Sequence, residues 1–438
     1  MNQVITCAII LTYQLKEKMT KITNLSGKME KQLPAELVNF MRLAGEVTAS
    51  QGQSLHLVGG VVRDLLLGQA NFDLDLVVEG NAIELAQQLA GINQAKITTH
   101  PRFNTAKLQW NKWSVDLATA RSETYAKPGA LPTVKPGSLS NDLFRRDFTI
   151  NTMAIELNPS RYGDLIDLYR GKDDLKRKLI RVLHEKSFTD DATRIWRGLR
   201  YEQRLNFQLE PTTLQLLKRD TPLLDTISGD RIRHELELIF GERRPEEVLR
   251  RADELGVLPK LYPSLKGNGW LAEKFEQARK LNAPNSPSIG LYLALLAYHL
   301  SNEESEYLIS RLRLSKPLAQ ILRDTISLKG KIQSLAEPEL APSSIYSRLY
   351  QYSPLAITAN SLASDIPAVR QHIQVFLSKL RYIKPTLTGD DLKRMGIAQG
   401  HHIREILHLL HQARLDGKVT TKQGEESLVN SWLARNVK

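Results

Sequence analysis

Alternation of apolar and polar positions divides the chain into two stretches of different period. Between about residues 34 and 180, short runs of period two recur: HLVGG, FDLDLVV, AKITTH, TAKLQW and WSVDLATA. Residues i and i+2 of such a run share one face of a strand, so these segments predict β-strands. Longer runs of helical period lie among them, and the first, LPAELVNFMRLAGEVTAS, leads into the strand Leu55 to Val58. The Pro- and Gly-rich YAKPGALPTVKPGSL predicts an ordered loop. From about residue 181 the strand pattern fades. SFTDDATRIWRGLRYEQRLNF, TTLQLLKRDTPLLDTI and RIRHELELIFG each predict a helix. Breaks at LYPSLKGNGW and LNAPNSPS, within about 261–287, precede a second helical region. The pattern predicts an α+β class: a small head with a mixed or antiparallel sheet, followed by an all-α remainder.

Composition narrows the partners. A chain of 438 residues is long enough for two to four domains. Its formal charge of +12 favours a polyanionic partner such as RNA. The single cysteine, Cys7, excludes an internal disulfide framework and a cysteine-based zinc site. Ten histidines are scattered, and the one adjacent pair, His401–His402, reads as solvent-facing rather than metal-binding. No apolar run approaches the roughly 20 residues needed to cross a bilayer. VITCAIILTY near the start is apolar but lacks a basic flank and a cleavage site. Met19 and Met29 precede the recognisable head, so residues 1–33 are expected to be a dispensable extension or an overcalled start. The expectation is a soluble, cytoplasmic protein with no membrane and no evident protein partner.

The densest chemistry lies at Asp73 and Asp75. On a strand, their two-residue spacing points both carboxylates to one spot. Hard cations such as Mg²⁺ take oxygen ligands from carboxylates and substrate phosphates, and two such ions clamp the oxygens of a phosphoryl displacement. Just upstream, SLHLVGGVVRDLLLG reads as strand, glycine turn and helix start. Gly59 and Gly60 let backbone amides approach phosphate oxygens, and Arg63 supplies a charge-assisted contact. Alone, an Asp-x-Asp is more often a solvated strand edge and a Gly-Gly pair an ordinary turn. Order and spacing together favour a nucleoside triphosphate site.

GGVVRDLLLG followed by DLDLVV resembles the signature of the nucleotidyltransferases related to DNA polymerase β. More narrowly, it resembles the bacterial class II tRNA nucleotidyltransferases, which include CCA-adding, CC-adding and A-adding enzymes and poly(A) polymerases. NDLFRRDFTINTMAI, DLIDLYRGKDDLKRKLIRVL, DDATRIWRGLRYEQRLNF and GDRIRHELELIF resemble the family's later motifs in order, covering about half the chain from Leu55 to Phe240. The resemblance implies a polymerase β-like head at 34–180 and a helical neck at 181–265. The helical body and tail, at 266–438, would hold tRNA.

The same resemblance implies roles for single residues. Asp116 in WSVDLATA is the candidate third carboxylate, with a strand-edge Asp as the alternative. Asp191, Arg194, Arg197 and Arg200 form a drifting stripe on a helix, which in an arbitrary protein is equally an exposed salt-bridging face. By resemblance, Asp191 and Arg194 pair with the base of the incoming nucleotide, while Arg197 and Arg200 serve the triphosphate or hold the helix. Asp190 stands where the family usually has Glu, and Ala192 where it usually has Pro. Arg146 would contact the nucleotide, Arg145 would be structural or RNA-facing, and Asp147 would support the sugar or the loop. Asp167 and Gly171 would be architectural. Lys176, Arg177, Lys178 and Arg181 face either RNA or solvent. LTGDDLKRMGIAQGHHIREILHLLHQARLDGKV resembles the family's tail, departing from it at Gln399-Gly400-His401-His402.

Together these readings predict template-independent addition of the 3′-terminal CCA to tRNA from CTP and ATP with Mg²⁺, releasing pyrophosphate. An A-adding or CC-adding half-enzyme, a poly(A) polymerase and a catalytically silent RNA-binding protein are the alternatives. In the family, the distinction lies partly in a flexible element between the first two motifs, here assigned to VVEGNAIELAQQLAGINQAKITTHPRF.

Overall fold

The computed structural model describes residues 23–436. Cys7, Met19 and the apolar VITCAIILTY lie outside the described residues. The chain divides into two compact units, at Ile227/Ser228. The first unit is built on a seven-stranded mixed sheet in the order β3-β4-β5-β2-β1-β8-β9. Its strands are β1 (Leu55–Val58), β2 (Leu74–Val78), β3 (Lys96–His100), β4 (Thr105–Trp110), β5 (Trp113–Thr119), β8 (Met153–Glu156) and β9 (Leu165–Asp167). Every pairing is antiparallel except that of β2 with β5. LHLV of β1 is buried throughout because it lies inside the sheet, whereas KITTH of β3 alternates exposed and half-buried residues at an edge.

Helix α1 (Ser26–Gln32) precedes residue 34 and packs on the head: Met29 is fully buried and the Leu25 amide donates to Gly163 at 2.7 Å. The expected extension therefore contributes to the head from Thr23 onward. Helix α2 (Ala35–Ser50) buries Leu37, Val38, Phe40, Met41 and Ala44 on one stripe. Gly45 on that stripe lies so close to the chain that an added Cβ would sit 2.0 Å from the Leu157 carbonyl oxygen. Helix α3 (Gly60–Leu67) follows β1 directly and ends at Gly68, left-handed at φ 73°.

Three segments differ from expectation, the first from what the resemblance implies and the other two from the apolar pattern. VVEGNAIELAQQLAGINQAKITTHPRF is regular structure: the end of β2, helix α4 (Ala82–Asn93) capped by Asn81, β3 and a short 3₁₀ turn. The proline-rich loop instead contains β7 (Thr133–Pro136), which pairs with an unanticipated strand, β6 (Arg121–Thr124), as a separate hairpin. Pro136 stands opposite Arg121 at the end of this ladder, where proline's missing N–H is tolerated. The predicted helix across 187–207 is two helices. Between α5 (Leu139–Phe144), α6 (Gly171–Arg177) and the later elements, α7 (Ser187–Asp190) stops at Asp191, and α8 (Thr193–Leu205) begins afresh. Asp191 is extended, and its Oδ1 accepts from the Thr193 amide at 3.0 Å and hydroxyl at 2.7 Å, so its side chain caps the second helix. A two-residue parallel pair, β10 (Leu179–Ile180) with β11 (Gln208–Leu209), brackets this region, and α9 (Pro211–Asp220) follows it.

The second unit's described elements are helical. Leu328, Leu349, Ile357, Val369, Ile373 and Phe376 anchor one core, and Leu392, Ile406, Leu410 and Val429 a smaller one towards the end. The smaller core is pinned by Glu425, fully buried, which accepts the Thr386 and Leu387 amides and pairs with Arg414 at 3.1 Å. Thr388 and Asp391 form a capping box at the helix Gly389–Arg394. No described helix is long and apolar enough to cross a membrane.

Two helix glycines test this packing in opposite directions. Gly45→Ala is expected to lose about 1–3 kcal/mol, because its methyl meets a backbone oxygen in a well-packed interior. Gly91→Ala in α4, with nothing within 4 Å of the new Cβ, is expected to gain up to about 1 kcal/mol from helix propensity. Denaturant midpoints of the two variants check both signs.

Candidate active site

Strand β1 delivers the chain to Gly59, which has φ 79°, and α3 starts at the next residue. A Cβ at Gly59 would lie 3.0 Å from Arg146 Nη1 and 3.5 Å from Asp75 Oδ2, so glycine is required both by conformation and by the close approach of two functional side chains. Asp73 stands just before β2, its amide held by Asn71 Oδ1 at 3.0 Å, and Asp75 lies inside the strand. The parallel seam sets Asp75 beside Asp116 in register. Asp116 also meets Lys107 of β4 at 3.2 Å.

Gly59, Asn71, Asp73, Asp75 and Asp116 line one cavity of about 590 Å³ together with Gly60, Arg63, Arg145, Arg146, Asp147, Asp191, Arg194 and Arg197. Burial, with the charges of Asp73 and Asp116, pushes the Asp75 carboxyl up to about 6, against the opposing pull of Arg146 and Lys107. Three carboxylates whose negative field is only partly balanced suit a hard divalent cation, and an all-oxygen donor set is the type such ions take.

The arginines facing these carboxylates are held by further carboxylates. Asp142, fully buried, divides its oxygens: Oδ1 accepts from Arg145 (2.6 and 2.9 Å) and Oδ2 from Arg146 (2.9 and 3.3 Å). Both guanidinium groups hold the Asp142 carboxyl below its ordinary value despite the opposing effect of burial. Asp147 accepts the Phe148 amide (2.8 Å) and Asn151 Nδ2 (3.0 Å) through Oδ1, and meets Arg197 at 2.7 Å through Oδ2. Arg197 is the chief cause that lowers its pKa against burial. Asp147 thus ties the loop after α5 to α8.

Of two further expected nucleotide contacts, Arg63 lines the cavity and Arg200 does not. Arg63 is buried; its Nε and Nη2 donate to Asp64 and its Nη1 to Asn151 Oδ1 at 2.7 Å. It reaches the cavity wall as a brace between α3 and the Asn151 turn. Arg200 is 5% exposed, lies over the Tyr201 ring and is absent from the cavity lining. At about 100° per residue, a step of six places it about 120° around α8 from Arg194, whereas Tyr201 returns to within about 20° of Arg194 and Arg204 to within about 20° of Arg197. Those two residues line the cavity in its place. Arg194 Nη2 donates to the Arg145 carbonyl at 2.6 Å and Nη1 to Ser187 Oγ at 2.8 Å, which fixes the guanidinium at the cavity end nearest Asp191.

Sequence reasoning missed Asn71, Glu123, Tyr125 and Arg121, which also line the cavity. The last three belong to the β6–β7 hairpin and its turn, whose only signal was the Gly- and Pro-rich composition. Asp167 accepts the Gly171 and Lys172 amides at 2.8 and 2.9 Å, a cap for α6. Elsewhere, ligand atoms of His401, His402 and Glu405 gather within 4.8 Å at a helix start. All three are exposed, and the positive helix end there opposes a cation.

Comparison with known proteins places the whole chain in a family context. A family model described as "Poly A polymerase head domain" matches residues 55–181, and one described as "Probable RNA and SrmB- binding site of polymerase A" matches 206–267. An A-adding tRNA nucleotidyltransferase of Geobacter sulfurreducens is 34% identical over 91% of this chain, which spans about half (47%) of that relative's length. One of Halalkalibacterium halodurans is 31% identical over 91% of this chain and 93% of its own length. Among solved structures, a Thermotoga maritima CCA-adding enzyme complexed with tRNA aligns with TM-score 0.75 and 30% identity, over 94% of this chain and all of that one.

The shared carboxylate gives a pH test. Because the folded pKa of Asp142 lies below the unfolded value of about 3.9, its ionisation stabilises the fold above that pH and the contribution is lost as pH falls through the folded pKa. Asp142→Asn is expected to melt below wild type at pH 7, with the gap closing below about pH 4. Thermal melts between pH 7 and pH 3 check this.

Proposed function

The chain belongs to the class II tRNA nucleotidyltransferase family, and on that premise we propose that it adds the terminal adenosine to tRNA from ATP, releasing pyrophosphate. The observation that carries the reading is the single cavity joining three carboxylates, a glycine turn and the Asp191–Arg194 end of α8. Asp73, Asp75 and Asp116 would hold Mg²⁺, which when bound lowers the pKa of the RNA 3′-hydroxyl and neutralises charge at the α-phosphate. Gly59 and Gly60 bring backbone N–H groups to the triphosphate, and Arg146, braced by Asp142, adds positive charge beside them. Arg63 and Asp147 position these groups. No covalent protein nucleophile is required, because such transfer depends on alignment and charge stabilisation.

Base choice is assigned to Asp191 and Arg194. A carboxylate accepts from the exocyclic amine of adenine while a guanidinium donates to a ring nitrogen. The Arg194 contacts to Ser187 and Arg145 leave N–H groups of its five for that purpose. Adenosine is favoured over the full CCA by the two A-adding relatives, each above 30% identity across 91% of this chain. Complete CCA addition is the second reading, supported by the likeness to the Thermotoga enzyme. We infer a cytoplasmic location from the bacterial tRNA-processing relatives.

The deciding experiment is single-nucleotide incorporation on tRNA transcripts ending at the discriminator base, after C and after CC, each with CTP or ATP. Incorporation of one adenosine, only on the CC-ended transcript, is expected. Two cytidines followed by adenosine would replace the reading with full CCA addition, and long adenosine runs with poly(A) synthesis. Asp73→Ala with Asp75→Ala is expected to lower incorporation at least a thousandfold while tRNA affinity stays within about threefold, since neither change removes basic surface. Unchanged turnover in that double variant would overturn the metal-site assignment.

A further inference from the structure

Arginines beside the three carboxylates are kept off them. Arg63 leans on Asp64, Arg145 and Arg146 on Asp142, and Arg197 on Asp147. Lys107 is held differently. Strand β4 sets it opposite Asp116, and β2 sets Asp75 on the other side of Asp116. One row of charge therefore crosses three strands on a single sheet face: Lys107, Asp116, Asp75. Thr105, two residues earlier on that face of β4, lines the nucleotide cavity. Lys107 Nζ lies 3.2 Å from Asp116 Oδ2, and its ammonium has no other ion pair or hydrogen bond among the described residues. Its pull reaches further: burial lifts the Asp75 carboxyl, and Arg146 and then Lys107 oppose that lift. Unlike those arginines, Lys107 leans on the metal-type carboxylates themselves.

A lysine suits a contact that must be released. Its ammonium is a compact, strongly hydrated charge on a flexible stem, whereas a guanidinium grips a carboxylate through a rigid fork. Both side chains of this pair are 41% exposed, so solvent screens them and a competing charge can draw them apart. We propose that Lys107 is a transferable counter-ion, which rests on Asp116 before the nucleotide arrives and passes to the triphosphate when it binds, leaving Asp116 open to a divalent cation. The proposal rests on the nucleotidyltransferase reading above. An ammonium on Asp116 competes with a bare cation for the same oxygens and so lowers affinity for metal without substrate. Once the triphosphate is present, the same charge holds the nucleotide instead of opposing the metal. Nucleotide and metal then favour each other's binding beyond their direct contact, and by linkage the effect is reciprocal.

The test follows Mn²⁺ by electron paramagnetic resonance in full-length wild type, Lys107→Met and Lys107→Arg. Binding that is lost when Asp73→Ala and Asp75→Ala are combined defines the share of this site. Without nucleotide, Lys107→Met is expected to bind Mn²⁺ about two- to fivefold tighter than wild type. Lys107→Arg, whose fork grips Asp116 more firmly, is expected to bind it more weakly. With ATP at saturating Mn²⁺ the sign reverses: Lys107→Met is expected to lose about two- to fivefold in ATP affinity. A merely structural role would weaken both ligands together. Unchanged or weaker Mn²⁺ binding in Lys107→Met would overturn the counter-ion, and unchanged or tighter ATP binding would overturn the transfer. If Lys107→Met does not fold, Lys107→Gln decides on the same terms. Wild-type Mn²⁺ binding that the double aspartate variant does not reduce would overturn the metal site and this inference together. A wild type that binds Mn²⁺ there but incorporates no adenosine would overturn the reaction, while the variants still judge Lys107.

Discussion

The parallel seam between β2 and β5 is the constraint on which the rest of the site depends. It sets Asp75 beside Asp116 in register, with Asp73 one residue before the strand, and so gathers three carboxylates at one end of a sheet. Such proximity is unfavourable by itself, as the upward displacement of Asp75 records. The surroundings have to answer that charge without filling the space that a substrate needs. The glycine turn does the second task, since any side chain at Gly59 would occupy the gap between Asp75 and Arg146. Arginines do the first.

Those arginines are themselves a liability unless held. A guanidinium free to swing would collapse onto the carboxylates and close the cavity. Asp142 prevents this for Arg145 and Arg146, and Asp147 for Arg197, each from a buried position. A buried carboxylate with arginine partners costs desolvation, and its net contribution to stability is modest compared with the loss on removing one partner. What the arrangement secures is direction: three positive groups aimed at one space. Alternation of sign from the metal-type carboxylates outwards to the arginines and then to the bracing carboxylates is the electrostatic plan of the head.

Much of this was legible in order along the chain. Asp75 on a strand, Asp73 one residue before it, and Gly59 and Gly60 at a strand-to-helix turn belong to segments whose periods and composition are local properties, and the structure brings them together in one cavity. The alternation of WSVDLATA likewise located β5 and Asp116. Legibility failed where the deciding geometry was angular or distant. Spacing by three suggested that Arg200 continues the stripe of Arg194 and Arg197, but the helical turn carries it off the cavity face, and Tyr201 and Arg204 stand there. The helix predicted across Asp191 breaks because its carboxylate caps Thr193 rather than continuing the turn. Both outcomes follow from helix geometry once the start of α8 is known, and that start is what apolar periodicity locates least well.

The hairpin marks the deeper limit. Strands β6 and β7 are short and mostly polar, and neither buries a continuous apolar face, so no hydrophobic period announces them. Their position is specified instead by a carboxylate whose partners lie two residues before it, two after it and 22 along the chain. Stability of this kind resides in charge-assisted contacts rather than in buried area, so it is invisible to pattern and sensitive to a single substitution. It also suits an element that lines an open cavity. An apolar hairpin would be fixed by the core beneath it and would change only with that core. One fastened by a few hydrogen bonds can be retuned by altering a residue or two, while the sheet, the glycine turn and the carboxylates stay as they are.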